Sequence, residues 1–136
     1  MDTAALTASP FLPLIGWSVL LLIAHILLQA QLATAELGLD WNAGARDGDK
    51  KVEGSLAGRA ERASANFRET YAAFVAVALA SAIAGNGGWA LTAGWVWFAA
   101  RIVYIPLYLL GVPYVRSMVW LVSLLAIVVM AFGLIL

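Results

Sequence analysis

The chain has 136 residues, the size of one domain; 63% of them are hydrophobic, 12% are charged, and the formal net charge is zero. Soluble domains are about half apolar and about a quarter charged, so this composition excludes an ordinary soluble fold and indicates a membrane protein. The zero net charge excludes a basic surface for nucleic acid, and the absence of cysteine excludes disulfides, thiolate metal sites and a cysteine nucleophile.

Four apolar segments are long enough to cross a membrane as helices. A span needs roughly 20 apolar residues, because a helix rises about 1.5 Å per residue across a hydrocarbon core of about 30 Å. Helices satisfy their own backbone hydrogen bonds in lipid, so the sequence predicts an all-α integral membrane protein, with a four-transmembrane-helix bundle forming a single domain over residues 1–136. The predicted spans cover residues 11–32, 66–84, 88–110 and 114–136.

The connections between these spans differ in length and charge. Asn86-Gly87-Gly88 and Gly111-Val112-Pro113 are short, turn-forming links, which predict antiparallel neighbouring helices on either side of each. Residues 33–65 hold most of the charged side chains, and a helix is predicted to resume near Leu56, ahead of the second span. The first span is too long for a cleaved signal peptide and lacks a basic flank before it.

Lysine and arginine predict how the bundle is oriented. Residues 33–65 contain five of them, whereas the N-terminus, the second connection and the C-terminus contain none. Cytoplasmic loops are enriched in lysine and arginine, so this loop is predicted to be cytoplasmic and both termini to lie outside.

Polar side chains inside the spans are costly in lipid, which makes them candidates for function. Two sets of these polar side chains are spaced by three and four residues, so each set lies on one stripe of a helix. One stripe belongs to the second span and the other to the third. The second-span stripe holds Arg59, Arg62, Asn66 and Glu69, and the third-span stripe holds Arg101, Tyr104 and Tyr108. With Arg116 in the first turn of the fourth span, the two stripes predict a pocket in the cytoplasmic half, and its arginines favour a carboxylate or phosphate.

Each of these side chains also has a structural interpretation. The arginines near the start of the second span can anchor it at the cytoplasmic boundary, and the tyrosines of the third span can belong to an interfacial aromatic belt. Glu69 can form an interhelical ion pair with Arg101. His25 and Gln29 in the first span are interpreted as hydrogen-bonding groups between packed helices.

The start of the second span resembles the signature of the MAPEG superfamily, the membrane-associated proteins of eicosanoid and glutathione metabolism. Residues 62–70, with the sequence RASANFRET, resemble the family pattern R-A-x-x-N-x-x-E-x-x-P-x-F; Phe74 matches it, and Ala72 stands in place of the usual proline. The likeness covers the whole chain in length, span count and loop placement. The later spans resemble the family through Arg101, Tyr108, Arg116 and Ser117.

The resemblance implies a left-handed four-helix bundle that forms a homotrimer and binds glutathione between subunits, near the cytoplasmic side. Arg116 matches the family arginine that stabilises the glutathione thiolate, and it is the expected catalytic residue. Residues 29–36 contain no lysine or arginine, where eukaryotic members carry a basic residue that helps to bind glutathione. The chain therefore resembles a bacterial-type member, expected in a bacterial inner membrane. The residues expected to bind glutathione are Arg62, Asn66, Glu69, Arg101, Tyr104, Tyr108 and Ser117.

The leading functional hypothesis is a glutathione-dependent transferase or peroxidase, with glutathione as cosubstrate, no metal, and a lipophilic electrophile or hydroperoxide entering from the bilayer. An arginine close to a thiol lowers its pKa and favours the thiolate, which is the nucleophile. The alternative is a non-catalytic trimeric membrane protein that binds an anionic lipid or metabolite at the same arginine cluster. A transporter is disfavoured, because the outer half of the bundle offers no polar path.

Overall fold

The computed structural model describes residues 2–48 and 50–136, and all regular elements in these ranges are helical. Four of the helices are long and apolar enough to cross a membrane, which confirms the predicted four-span, all-α architecture. Two short helices precede and follow the first span. In chain order the helices are α1 (Thr3–Thr7), α2 (Phe11–Leu37), α3 (Leu39–Ala43), α4 (Ser55–Ala84), α5 (Gly88–Leu109) and α6 (Val115–Ile135).

Helices α2 and α4 extend beyond the apolar segments that predicted them. Helix α2 continues past residue 32 to Leu37, and α4 begins at Ser55, well before residue 66. Apolar length detects the part of a helix that lies in lipid, whereas backbone hydrogen bonding continues into the polar phase wherever good helix formers follow. The alanine, glutamate and arginine residues at the start of α4 are of this kind. The charged start of α4 is therefore helical.

The end of the bundle where α2 finishes and α4 begins, called the loop end below, is held by charged side chains at helix termini. The Glu36 carboxylate accepts the backbone N–H groups of Glu53 and Gly54 at 2.7 and 2.6 Å. Lys50 Nζ donates to the Leu37 carbonyl at 2.7 Å. A carboxylate at a helix start and an ammonium group at a helix end both interact favourably with the helix dipole. These contacts tie the start of α4 to the end of α2.

The four long helices pack as two pairs, α2 with α4 and α5 with α6, and α4 also contacts both α5 and α6. Buried aromatic rings fill the centre, with the Phe74 and Trp97 rings stacked 3.5 Å apart. Helices α2 and α5 approach closely at Gly94, where an added Cβ would lie 2.5 Å from the Leu14 side chain. Glycine allows this close crossing, and a larger residue would force the end of the Leu14 side chain to move.

Both predicted short links are present and are fixed by polar contacts. Gly85, in the left-handed conformation with φ +70°, ends α4, and the Asn86 side chain then donates to the Gly133 carbonyl at 2.8 Å. At the loop end, Arg59 Nη1 donates to the Leu109 carbonyl at 3.1 Å, at the end of α5. This contact gives Arg59 a role between helices, which differs from the anchoring at the membrane boundary considered from the sequence.

Candidate functional site

A polar pocket of about 380 Å³ lies near the loop end, between α5 and α6, with one side chain of α4 in its wall. Its lining consists of Asn66, Tyr104, Tyr108, Arg116, Ser117 and Trp120. Five of these six side chains were expected at the site from the sequence. Trp120 was missed, although it follows Arg116 by four residues and therefore shares its helix face.

Arg116 forms the positively charged rim of this pocket. It is half-buried in the first turn of α6, and its guanidinium carbon lies 4.7 Å from the centroid of the Tyr108 ring. The Tyr108 ring meets the Tyr104 ring edge-on at 5.4 Å. A cation over an aromatic face is attracted by the ring quadrupole, so the phenol holds the guanidinium in place. The positive end of the α6 helix dipole adds to the preference for negative charge here.

Arg101 lies inside the bundle rather than in the pocket lining. Its side chain is 0% exposed, and its guanidinium carbon lies 4.5 Å from the Tyr104 ring and 5.2 Å from the Phe67 ring. Its Nη2 donates to Asn66 Oδ1 at 3.0 Å, whereas Nε and Nη1 have no hydrogen-bond partner in the part of the chain that the structure describes. The sequence led us to expect Arg101 as a lining residue. The structure places it behind Asn66 and Tyr104, in contact with the lining.

Arg62 and Glu69 are exposed on α4 and do not line the pocket. At about 100° per residue, Arg62, Asn66 and Glu69 lie within about 60° of one another on the helix surface, with Asn66 at one edge. Of these three side chains, Asn66 alone lines the pocket with residues of α5 and α6. The Arg101 hydrogen bond goes to Asn66, so the structure does not show the Glu69–Arg101 ion pair considered from the sequence.

His25 packs inside the bundle, where its ring is 1% exposed and lies 4.7 Å from the Phe67 ring, on the opposite helix pair from the pocket. The sequence interpretation as a hydrogen-bonding group between helices is not confirmed, because Nε2 has no partner among residues 2–48 and 50–136. Residues 2–48 and 50–136 contain no group of three or more side chains that could hold a metal ion.

A second, apolar groove of about 300 Å³ lies between the same two helices, further from the loop end. Every side chain that lines it is aliphatic, and two of them, Val103 and Val119, directly adjoin the pocket residues Tyr104 and Trp120 in the chain. The α5–α6 surface therefore changes from donor-rich to apolar along its length. The groove residues are Val96, Ala99, Ala100, Val103, Val119 and Val122.

The fold and the pocket together define a four-span integral membrane protein with a polar site at one end of the bundle. Residues 14–136 match the model of the MAPEG family, and the chain belongs to that family. Membership associates it with glutathione-related transferase or peroxidase chemistry, or with eicosanoid metabolism in general. No curated protein and no solved structure was found to match the chain.

Proposed function

We propose that the protein is a glutathione-dependent membrane transferase or peroxidase that acts on lipophilic electrophiles or hydroperoxides. The observation that carries the proposal is Arg116, held over the Tyr108 ring at the rim of a polar pocket in a chain of the MAPEG family. At about 380 Å³ the pocket is within the size range of small-molecule sites, about 300–1,000 Å³. Its guanidinium, amide and hydroxyl groups suit a peptide that carries carboxylates.

In this proposal Arg116 activates the thiol of glutathione. A free thiol with a pKa near 8.5 is mostly protonated at neutral pH, and lowering that pKa by about two units makes the thiolate the main form. Such a shift corresponds to roughly 2.7 kcal/mol of stabilisation of the thiolate. Arg116 is suited to this role because a guanidinium group keeps its proton at any working pH. The thiol proton passes to water.

Two reactions of the thiolate are compatible with the site. In transfer, the thiolate sulfur forms a bond to an electrophilic carbon, and the leaving group departs with its bonding electrons. In peroxide reduction, the sulfur attacks one peroxide oxygen, the O–O bond breaks, and the departing alkoxide takes a proton to give the alcohol. The sulfenic acid formed on glutathione then reacts with a second glutathione, giving the disulfide and water.

The apolar groove supports a lipophilic second substrate. Its aliphatic lining starts beside Tyr104 and Trp120 and faces outward between α5 and α6. A substrate entering from the bilayer can keep its apolar part in this groove while its reactive group reaches the thiolate near Arg116. Burial of apolar surface would then contribute about 25 cal/mol per Å² to binding.

Assembly as a homotrimer, with the site completed between subunits, is part of the proposal. Arg62 and Glu69 are exposed on α4, where contact with lipid would be costly, so a second copy is expected to cover them. The exposed alanines at 72, 73 and 76 would allow close helix packing there. Native mass spectrometry from detergent should show three copies. A stable monomer or dimer would contradict an intersubunit site.

The loop end is proposed to face the cytoplasm, because residues 33–65 carry five lysines and arginines. The chain has no cysteine, so a Gly48→Cys variant offers one thiol for labelling. We expect it to resist a membrane-impermeant maleimide in intact cells and to react after permeabilisation. Ready labelling of intact cells would reverse the orientation.

The proposal is first tested by titrating the detergent-purified protein with glutathione and following the ultraviolet absorbance of the thiolate. Turnover is then measured with a generic aromatic electrophile and with an organic hydroperoxide. Binding accompanied by a thiolate signal and by turnover of either substrate is expected. Binding of anionic lipid or metabolites without any glutathione signal would instead support the non-catalytic alternative.

A further inference from the structure

We infer that Arg101 is a positioning residue that fixes the orientation of the Asn66 amide, so that Asn66 offers only N–H donors to the pocket and selects a carboxylate. The ligand identity rests on the function proposed above. The inference concerns the polarity of one wall of the pocket, which no motif in the sequence encodes. It also gives a role to a charged side chain that the pocket itself does not expose.

The orientation of Asn66 follows from the chemistry of its partner. A guanidinium group has five N–H donors and no acceptor, so the atom of Asn66 that faces Arg101 must be the amide oxygen. The contact is 3.0 Å, from Arg101 Nη2 to Asn66 Oδ1. The oxygen and nitrogen occupy opposite branches of a planar amide. The Nδ2 group is therefore directed away from Arg101, and Asn66 is half-buried where it lines the pocket.

Arg101 is itself held in place, so the amide has one favoured orientation. Its side chain is fully buried, between the rings of Phe67 at 5.2 Å and Tyr104 at 4.5 Å. Turning the Asn66 amide over would bring two sets of N–H donors together and would lose a charge-assisted hydrogen bond. Free rotation of the amide, which would let it accept as well as donate, is thus suppressed.

None of the other lining side chains is fixed as a hydrogen-bond acceptor, so none offsets the N–H donors that Asn66 presents. Arg116 and Trp120 are donors only, and the hydroxyls of the two tyrosines and the serine can donate or accept. Arg101 adds a buried positive charge whose Nε and Nη1 have no partner in the described chain. A ligand carboxylate, which accepts hydrogen bonds and carries negative charge, is therefore preferred at this wall over an ester, an amide or an ammonium group.

The first experiment compares two ligands in detergent by calorimetry, glutathione and glutathione diethyl ester, in which both carboxylates are blocked. The ratio of their affinities measures carboxylate preference. In Arg101→Met this ratio should fall about tenfold relative to wild type, the change expected for one charge-assisted hydrogen bond. Arg101→Lys, which keeps a buried donor, should retain most of the preference. A purely structural lesion would weaken both ligands equally, and an unchanged ratio in a folded Arg101→Met protein would overturn the inference.

A second variant keeps the test decisive if Arg101→Met does not fold. Asn66→Asp places a carboxylate that accepts from Arg101 and also turns an acceptor toward the pocket. Its preference for the free acid should fall more than tenfold, with the melting temperature close to that of wild type. If Asn66→Asp prefers the free acid as wild type does, Asn66 does not set the polarity of this wall.

A readout without glutathione separates this inference from the proposed function. The chain contains three asparagines, Asn42, Asn66 and Asn86, so ¹⁵N labelling of the asparagine side chains gives three pairs of NH₂ signals. Adding acetate to the wild type should shift the Asn66 amide signal, identified by its loss in Asn66→Ser. A shift with acetate but no glutathione binding would sink the proposed function and leave the inference standing. Glutathione binding without any preference for the free acid would overturn the inference and leave the proposed function standing. The absence of an acetate shift would also overturn the inference.

Discussion

The two halves of the bundle are held together by different forces. The half at the loop end is joined by polar contacts, such as Glu36 to the start of α4 and Arg101 to Asn66, and it contains the pocket. The opposite half is joined by apolar packing around Gly94 and the stacked rings of Phe74 and Trp97. The pocket therefore lies in the half whose helices are joined mainly by polar contacts, whereas the opposite half relies mainly on apolar packing and on the Asn86–Gly133 hydrogen bond at its end.

This division predicts that function and stability separate by mutation. The largest effect is expected for Arg116→Ala, where turnover with a generic electrophile should fall by roughly a hundredfold, matching a loss of about 2.7 kcal/mol of thiolate stabilisation. The thiolate absorbance of bound glutathione should disappear while much of the binding remains. Arg116→Lys is the control. If Arg116 only anchored the helix at the membrane boundary, lysine would replace it and the variant would behave like the wild type. A full thiolate signal in an assembled Arg116→Ala protein would exclude Arg116 from the mechanism.

Substitution of Gly94, in the opposite half, is expected to lower stability and to leave ligand binding unchanged. Gly94→Val would drive a side chain into Leu14, where even a Cβ would lie 2.5 Å from the Leu14 side chain. Overpacking of this kind costs about 1–3 kcal/mol, so the melting temperature in detergent should fall. Glutathione affinity of the remaining folded protein should stay near that of wild type. Gly16→Val, at a glycine with no atom within 4 Å of an added Cβ, is the matched control.

A smaller effect on stability is expected at the loop end itself. Glu36→Gln keeps an oxygen near Glu53 and Gly54 but removes the negative charge that interacts with the start of α4. Loss of charge at a helix start costs about 0.3–1 kcal/mol, and Glu36→Ala, which removes the acceptor too, should cost about 0.5–2 kcal/mol. Thermal unfolding of the two variants separates these contributions. Equal stability of all three proteins would show that this contact does not hold the loop end.

The smallest effect on turnover is expected at Tyr108, whose ring supports Arg116. Tyr108→Leu removes the aromatic face and should cost about 0.5–1 kcal/mol, or a twofold to fivefold loss of turnover, with a weaker thiolate signal. Tyr108→Phe keeps the ring and should retain both. If Tyr108→Phe is as impaired as Tyr108→Leu, the hydroxyl rather than the ring is the functional group.

Much of this fold follows from the length of its apolar segments, since crossing a bilayer requires a fixed number of helical residues. The charged start of α4 lies outside the apolar window, yet the sequence also predicted that a helix resumes near Leu56, and α4 begins at Ser55. Side-chain placement was harder to predict. Periodicity correctly grouped Arg101 with Tyr104 and Tyr108, but it could not say which edge of the stripe faces inward. That depends on how α5 is rotated against α4.

The same limit applies to Arg62 and Glu69. Helical spacing put them on one stripe with Asn66, yet only Asn66 reaches the pocket of this chain. The rotation of α4 against α5 and α6 is set by packing around residues such as Phe67 and Phe74, which are apolar and carry no functional pattern. A site that spans several helices is thus less predictable than any one of its helices.

The charged start of α4 connects the loop to the rim of the pocket. Its first turns are joined to the end of α2 through Glu36 and to the end of α5 through Arg59. The guanidinium of Arg59 also lies against the turn at Gly111, where an added Cβ would be 2.8 Å away. A displacement of the loop is therefore expected to reach, through α4 and Arg59, the turn that leads into Arg116, so that the loop and the pocket rim respond to each other.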